Sequence, residues 1–377
     1  EDFILNMNSE WNISNKYSIV FGTNNFFHIY NPSTTNVSFV ENNIQKDSVY
    51  GIKRIYAIEN NLYVENKFYL LNFFSTNIGF NVSNYKCLKD KNYLSFQPRV
   101  LLNFYLDSKF SIKMTYSKME QYNHLLTSNS VTNSVNIWIP SQNNINPSKS
   151  TQYSIGLYKT LMGGKLEVSL EGFRKQSNNL ITIKQGYMFN GSAEKWLNTI
   201  ETGGLGSVLG CELFLEKKSG KLTGWLSYTY QKSLVKFENI NNGKFYPSDF
   251  DRPHTFNIVA SYSFNKNIVF SANWSYSTGL PITMILGSYE MENSFQLNQI
   301  ATNFEEKNYI FIYSSPNSYR MKPYHRLDLA INWNKKSKNG IYEWSFSIYN
   351  VYNRQNPYFY LMKYDNQSNK YKLYQQS

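Results

Sequence analysis

The sequence predicts an all-β fold: a transmembrane, antiparallel, up-and-down β-barrel with about 14 strands in this chain. Three observations carry that reading. Residues alternate with period two between an aromatic or aliphatic face and a polar face. Many such runs exceed the ~5–6 residues of a soluble-sheet strand. The connections between them are alternately tight and long, as in outer-membrane barrels. Aromatic residues make up 17% of the 377 residues, with 32 Tyr and 26 Phe, although mean hydropathy is only −0.49. A soluble protein buries aliphatics and exposes charge. A barrel turns only alternate residues to lipid and places aromatic girdles at both interfaces.

The elements follow in order. Glu1-Asp2-Phe3-Ile4-Leu5 reads as strand, without the basic segment or cleavage site of a secretory leader. The chain is therefore expected to be an internal piece of a longer one. Tight turns are expected near Asn12–Lys16, Lys67–Tyr69, Asp107–Ser108, Met162–Gly164, Lys217–Gly220, Asn265–Lys266 and Asn334–Gly340. Most carry Gly, Asn, Asp or Lys, residues suited to hairpin turns. Long connections fall at 31–50, 84–93, 121–148, 177–199, 236–251 and 280–319. The alternation puts the tight turns on one side, the periplasm, and the long loops outside.

Facing assignments come from the alternation. Phe256, Ile258, Ala260, Tyr262 and Phe264 share one face, opposite Thr255, Asn257, Ser261 and Ser263. The returning strand sets Ile268, Phe270, Ala272, Trp274 and Tyr276 against Ser271, Asn273, Ser275 and Ser277. Phe110, Ile112, Met114 and Tyr116 oppose Ser111, Lys113, Thr115 and Ser117. Arg or Lys on the lipid face at mid-bilayer costs about 2–4 kcal/mol. Glu167, Glu171, Arg326 and Asp328 are accordingly assigned to a polar lumen.

Other classes are disfavoured. No window approaches the ~20 consecutive apolar residues of a helical span. The net charge of +12 comes from lysines scattered through turns and loops, without the basic stripe of a nucleic-acid module. It fits solvated turns and contact with anionic lipid headgroups. Cys87, read in a loop, and Cys211, read in a strand, leave a disulfide open. The four histidines lie in no hydrolase elbow, HExxH or phosphate loop, so neither enzyme activity nor a cofactor is expected. Glu167 and Glu171 lie ~13 Å apart along one strand, too far for paired-carboxylate chemistry.

Several segments are more specific: Tyr93-Leu94-Ser95-Phe96-Gln97-Pro98-Arg99; Trp138-Ile139-Pro140-Ser141, then Gln152-Tyr153-Ser154-Ile155-Gly156-Leu157; Gly206 to Leu213, then Gly220 to Tyr230; Phe250-Asp251-Arg252-Pro253-His254-Thr255, with Ser277-Thr278-Gly279-Leu280-Pro281; and Tyr319-Arg320-Met321-Lys322-Pro323-Tyr324-His325-Arg326-Leu327-Asp328, with Trp344 to Arg354. In this order they resemble the barrel half of TonB-dependent receptors, in the branch that carries an N-terminal carboxypeptidase-like regulatory domain ahead of the plug. The resemblance covers essentially the whole chain. It implies a barrel of about 22 strands, a plug domain absent from this sequence, and an incomplete barrel at both ends. It also implies energy-coupled uptake, through TonB and the plug, of a ligand too large or scarce for porins. Outer-membrane lipid, lipopolysaccharide and a surface lipoprotein are the other expected partners, and no nucleic acid is. A passive porin closed from these strands alone, or a surface adhesin, is the alternative.

Candidate ligand-facing residues lie at the loop end. Arg252 and His254, in Asp251-Arg252-Pro253-His254, either face a ligand or mark a strand start where Asp251 and Arg252 pair to pin the loop. Tyr319, Arg320, Tyr324 and His325 carry the same two readings. His124, Trp138 and Trp196 sit on long loops, where exposed rings either stack on a ligand or pack the loops together.

Overall fold

The computed structural model describes residues 1–31, 34–41, 44–51, 54–88, 90–129, 134–142, 144–184, 196–290, 309–338, 340–365 and 370–376. Fourteen strands pair in chain order as one antiparallel up-and-down sheet. They are β1 (Asp2–Ser14), β2 (Tyr17–Tyr30), β3 (Ile55–Leu71), β4 (Phe74–Cys87), β5 (Asn92–Asp107) and β6 (Phe110–Gln121). The path continues through β7 (Ser148–Leu161), β8 (Leu166–Ile183), β9 (Ile200–Lys217) and β10 (Leu222–Lys236). It ends with β11 (His254–Ser263), β12 (Ile268–Ser277), β13 (Tyr324–Ser337) and β14 (Gly340–Ile348). The short strand Tyr246–Pro247 also pairs with β10. Strands β1 and β14 are the two edges and do not pair with one another.

The tight turns form where a side chain can cap the backbone. Asn265 Oδ1 accepts the N–H groups of Asn267 at 2.8 Å and Ile268 at 2.9 Å. Asp107 Oδ1 accepts the N–H of Lys109, and Gly163 supplies φ +66° between β7 and β8. Three expected boundaries are corrected, the first being the connection expected from 177, which begins only at 184 because β8 runs on to Ile183. Lys67–Tyr69 lies inside β3, and the turn comes at 72–73. The connection expected over 84–93 shrinks to 88–91, because β4 continues to Cys87. Cys87 is therefore a buried strand residue rather than a loop residue, and both cysteines are free thiols.

Register turns the alternation into rows. Val168, Leu215, Leu226, Ile258, Trp274 and Leu327 lie side by side across β8 to β13 on one face. Glu171, Glu212, Thr229, Thr255, Ser277 and Tyr324 form a row on the other. The apolar face is uncovered: Leu62 is 63% exposed, Leu94 74% and Leu209 62%. An apolar surface this continuous marks contact with a non-aqueous medium or a partner. We call it the outward face and its polar counterpart the inward face.

The buried hydrophobic clusters lie at the loop end. Leu126, Ile139 and Ile145 from the 122–147 connection pack with Ile200 at the start of β9. Phe237, Ile240 and Tyr246 form a second cluster beyond β10. Several loop segments pair as hairpins, including Asn123–Asn129 with Ser134–Pro140 and Ile285–Glu290 with Tyr309–Tyr313. Among the described residues, the 122–147 connection thus packs against the start of β9 rather than standing alone.

Candidate functional site at the loop end

Residues 314–322 strap across 247–253 and join two sequence motifs far apart in the chain. Arg320 Nη2 pairs with Asp251 Oδ2, while Nη1 donates to the carbonyls of Asp251 at 2.8 Å and Gly279 at 3.2 Å. Asp251 is 2% exposed, and its Oδ1 accepts the Ser233 N–H at 2.7 Å. The buried carboxylate is thus neutralised and bonded at both oxygens, as burial of a charge requires. Asn317 Nδ2 donates to the Pro247 carbonyl at 2.9 Å and to Asp249 Oδ1 at 2.7 Å. Burial pushes the Asp249 carboxyl up to about 6, against the opposing effect of the Asn317 bond. Gly279 lets the two segments meet, since a Cβ there would lie 1.8 Å from the Met321 carbonyl oxygen.

A second knot lies on the inward face between β4 and β5. Tyr122, just beyond β6, stacks on Tyr85 with ring centroids 4.4 Å apart. Its hydroxyl lies 2.6 Å from Ser83 Oγ, and Gln97 Nε2 donates to Ser83 at 2.7 Å and Ser95 at 2.8 Å. Ser83, Ser95 and Gln97 are inward residues on facing strands, so the polar alternation itself builds the receptor for this tyrosine. Pro98 sits where β5 has not yet begun to pair with β6, so its missing N–H disturbs no β5–β6 bond.

The sequence-predicted residues separate into distinct environments. Arg252 does not pair with Asp251; its Nη1 donates to Ser277 Oγ at 3.1 Å, and Arg320 takes the carboxylate instead. Register places Tyr324 inward beside Ser277, where its hydroxyl accepts from Arg326 Nη1 at 3.3 Å. His254 and His325 instead share parity with Phe256 and Leu327, on the outward face. His254 contacts the Tyr228 and Tyr230 rings, and His325 contacts Tyr352.

His124, expected on an exposed loop, is 4% exposed. Ser141 Oγ lies 2.9 Å from its Nε2 and Ser148 Oγ 3.1 Å from its Nδ1. Burial lowers its pKa to about 4. The hairpin that carries it contributes Leu126 and Ile139 to the buried loop cluster. Trp138 and Tyr319 remain exposed, at 53% and 49%. Trp196 opens the short turn Trp196–Thr199, and its side chain lies outside the described residues. Sequence reasoning missed Asn317, Asp249 and Tyr122. Only the inward parity of Ser83, Ser95 and Gln97 hinted at a polar receptor.

The inward wall is strongly acidic on β8 and β9. Glu171 faces Glu212 and Glu167 faces Glu216 across the strand pair. Lys218 Nζ offsets the second pair, 2.6 Å from Glu167 and 4.0 Å from Glu216. The Tyr158 hydroxyl donates to Glu171 at 2.8 Å. On β13, Arg326 is held by Asp328, with Nη2 at 2.9 Å, and lies over the Tyr349 ring at 4.2 Å. Such a wall offers hydrogen bonds, charge and aromatic faces to whatever meets the inward face.

Residues 2–353 match the family described as TonB dependent receptor-like, beta-barrel. No curated protein matches the chain. Among solved structures, the ferric-catecholate import receptor Fiu of E. coli K12 aligns with a TM-score of 0.60 and 14% identity, over 99% of this chain and 53% of that one. The ferric yersiniabactin uptake receptor FyuA of Yersinia pestis gives 0.61 and 11% identity, over 96% and 50%. The ferripyoverdine receptor of the outer membrane of Pseudomonas aeruginosa, bound to ferripyoverdine, gives 0.59 and 14%, over 95% and 44%. The chain therefore spans about half the length of these solved structures. At such identities the likeness is one of fold.

Proposed function

The chain belongs to the TonB-dependent receptor-like β-barrel family, and from that premise we propose that it is barrel wall of an outer-membrane receptor that takes up its ligand with energy supplied through TonB. The observation that carries the reading is the two-faced sheet: a continuous apolar outward face, a polar inward face, and long connections knotted together at one end only. A wall built this way separates lipid from a wet interior and displays loops to the medium. Receptor and transporter are the roles it fits.

The finer elements of the proposal rest on the sequence motifs. They are the branch with a regulatory domain ahead of the plug, contact with TonB through a plug segment, and a surface lipoprotein partner. Residues 1–377 are proposed to form one piece of the barrel domain. Arg252, Tyr319, Tyr324 and Trp138 are the proposed ligand-facing residues, with Tyr319 and Trp138 the most accessible. The three neighbours named above handle ferric chelates, but a shared fold does not carry their ligands across to this chain.

The test is uptake in the native cell. A strain lacking the gene is compared with its parent for growth on single scarce nutrients, with ferric chelates and oligosaccharides tried first. The rescued uptake is then repeated with a protonophore that collapses the inner-membrane gradient. Energy coupling expects uptake to stop while ligand still binds at the surface. Uptake that persists unchanged identifies a passive pore instead.

A further inference from the structure

On the outward face of β6, β8 and β10, a cation follows the apolar run toward the loops, after one or two tyrosines on β6 and β10. Along β6 the outward residues run Ile112, Met114, Tyr116 and then Lys118; along β10 they run Leu226, Tyr228, Tyr230 and then Lys232. Strand β8 passes from Val168, Leu170 and Gly172 directly to Arg174. Register makes the belt continuous: Tyr116, Tyr153, Arg174, Leu209 and Lys232 form one row across β6 to β10. Lys118 stands in the next row toward the loops, beside Thr151, and Lys149 one row beyond. The Tyr116 and Tyr153 rings touch, with centroids 5.2 Å apart.

Lys149 reaches Glu120 at 3.3 Å. By contrast, Lys118, Arg174 and Lys232 form no ion pair among the described residues, and Arg174 and Lys232 are exposed. A tyrosine girdle sits at headgroup depth. Unpaired cations in that row (Arg174, Lys232) or one row beyond it (Lys118) therefore stand among headgroups, facing lipid rather than lumen or bulk water. An arginine beside lysines suits phosphate: the guanidinium makes paired N–H···O bonds, and each lysine adds a point charge.

We propose that Lys118, Arg174 and Lys232, with Lys149 at the margin, form a binding belt for phosphate-bearing lipid headgroups in the leaflet on the loop side. The inference rests on the membrane-barrel reading and adds to it a specific lipid site. Each such cation strengthens attraction to an anionic surface about fivefold. The attraction weakens with salt, because the belt is exposed.

The experiment uses the full-length protein in a nonionic detergent, titrated with dilauroyl phosphatidylglycerol. Bound lipid is read by native mass spectrometry and by the rise in thermal midpoint. The triple variant Lys118→Gln/Arg174→Gln/Lys232→Gln is expected to bind the lipid about a hundredfold more weakly. The inward double variant Lys113→Gln/Lys175→Gln, which also removes positive charge, should stay near wild type. If the triple variant fails the heat-modifiable mobility check for folding, Arg174→Gln alone still tests the belt, with a loss of about fivefold. Unchanged lipid affinity in the folded variants overturns the proposal, as does an equal thermal shift from inorganic phosphate. Flotation with phosphatidylcholine vesicles separates the two levels. A wild-type protein that does not float sinks the membrane reading and the belt together, whereas flotation with unchanged phosphatidylglycerol affinity sinks the belt alone.

Discussion

At the scale of single residues, the loop end is held by a few charged groups whose partners are distant in sequence. Arg320 and Asp251 are 69 positions apart, yet they fasten the strap to the entrance of β11. The Asp251 side chain is 3% exposed and that of Arg320 33%, so removing the arginine leaves a buried carboxylate without its counter-charge. Arg320→Gln should loosen the strap by about 3 kcal/mol, at the low end of the range for breaking a buried pair because one partner is partly wet. Asp251→Asn should cost less, since it removes the charge and can still accept from the Ser233 N–H. Hydrogen exchange over 247–252 and 314–320 checks both. Protection unchanged from wild type in both variants would mean that the ion pair contributes nothing to the anchor. The pairing was not legible in the sequence, where Arg252 adjoins Asp251 and looked like the natural partner. The strand start aims Arg252 at Ser277 instead.

At the scale of the element, facing decides what each strand tolerates. Ile258 lies in the outward row between Leu226 and Trp274, whereas Asn257 lies inward between Ser227 and Ser275. Ile258→Lys should therefore destabilise the folded protein by about 2–4 kcal/mol in a bilayer, and Asn257→Lys by only a few tenths. Urea titration in lipid vesicles measures both, and equal losses would mean the two faces meet the same medium. This two-facedness was fully legible, because period two is a local property that every paired strand repeats. The errors arose where an inward polar residue resembled a turn. Lys67 looked like part of one, yet it is an inward residue reaching Glu10 at 3.5 Å, and β3 runs on to Leu71. The end of β4 was misread for a similar reason. Tyr85 and Cys87 are covered by Tyr122 from another loop, a contact that no local pattern announces.

At the scale of the whole molecule, the two edges of the sheet decide what the wall encloses. Strands β1 and β14 are exposed along their full described lengths, and an edge left unpaired in lipid strands backbone N–H and C=O groups at several kcal/mol each. Either the two edges pair with each other, giving a closed barrel of these strands and a passive pore, or further strands meet them in a wider wall. The sheet aligns along about half of each solved receptor chain it resembles, which favours the wider wall. Cysteines placed at Asn8 on β1 and Ser345 on β14, in a Cys87→Ser/Cys211→Ser background of the full-length protein, distinguish the two. Walking the first cysteine through Asn6 and Glu10 covers the unknown register, because all these positions share the inward face. The expected result is no intramolecular disulfide at any register under mild oxidation in the membrane. Disulfide formation requires Cα atoms within about 7 Å, so a bond at one register would show the edges paired. Uptake would then have to be explained by a narrow pore, and the energy-coupled reading would lose its structural support.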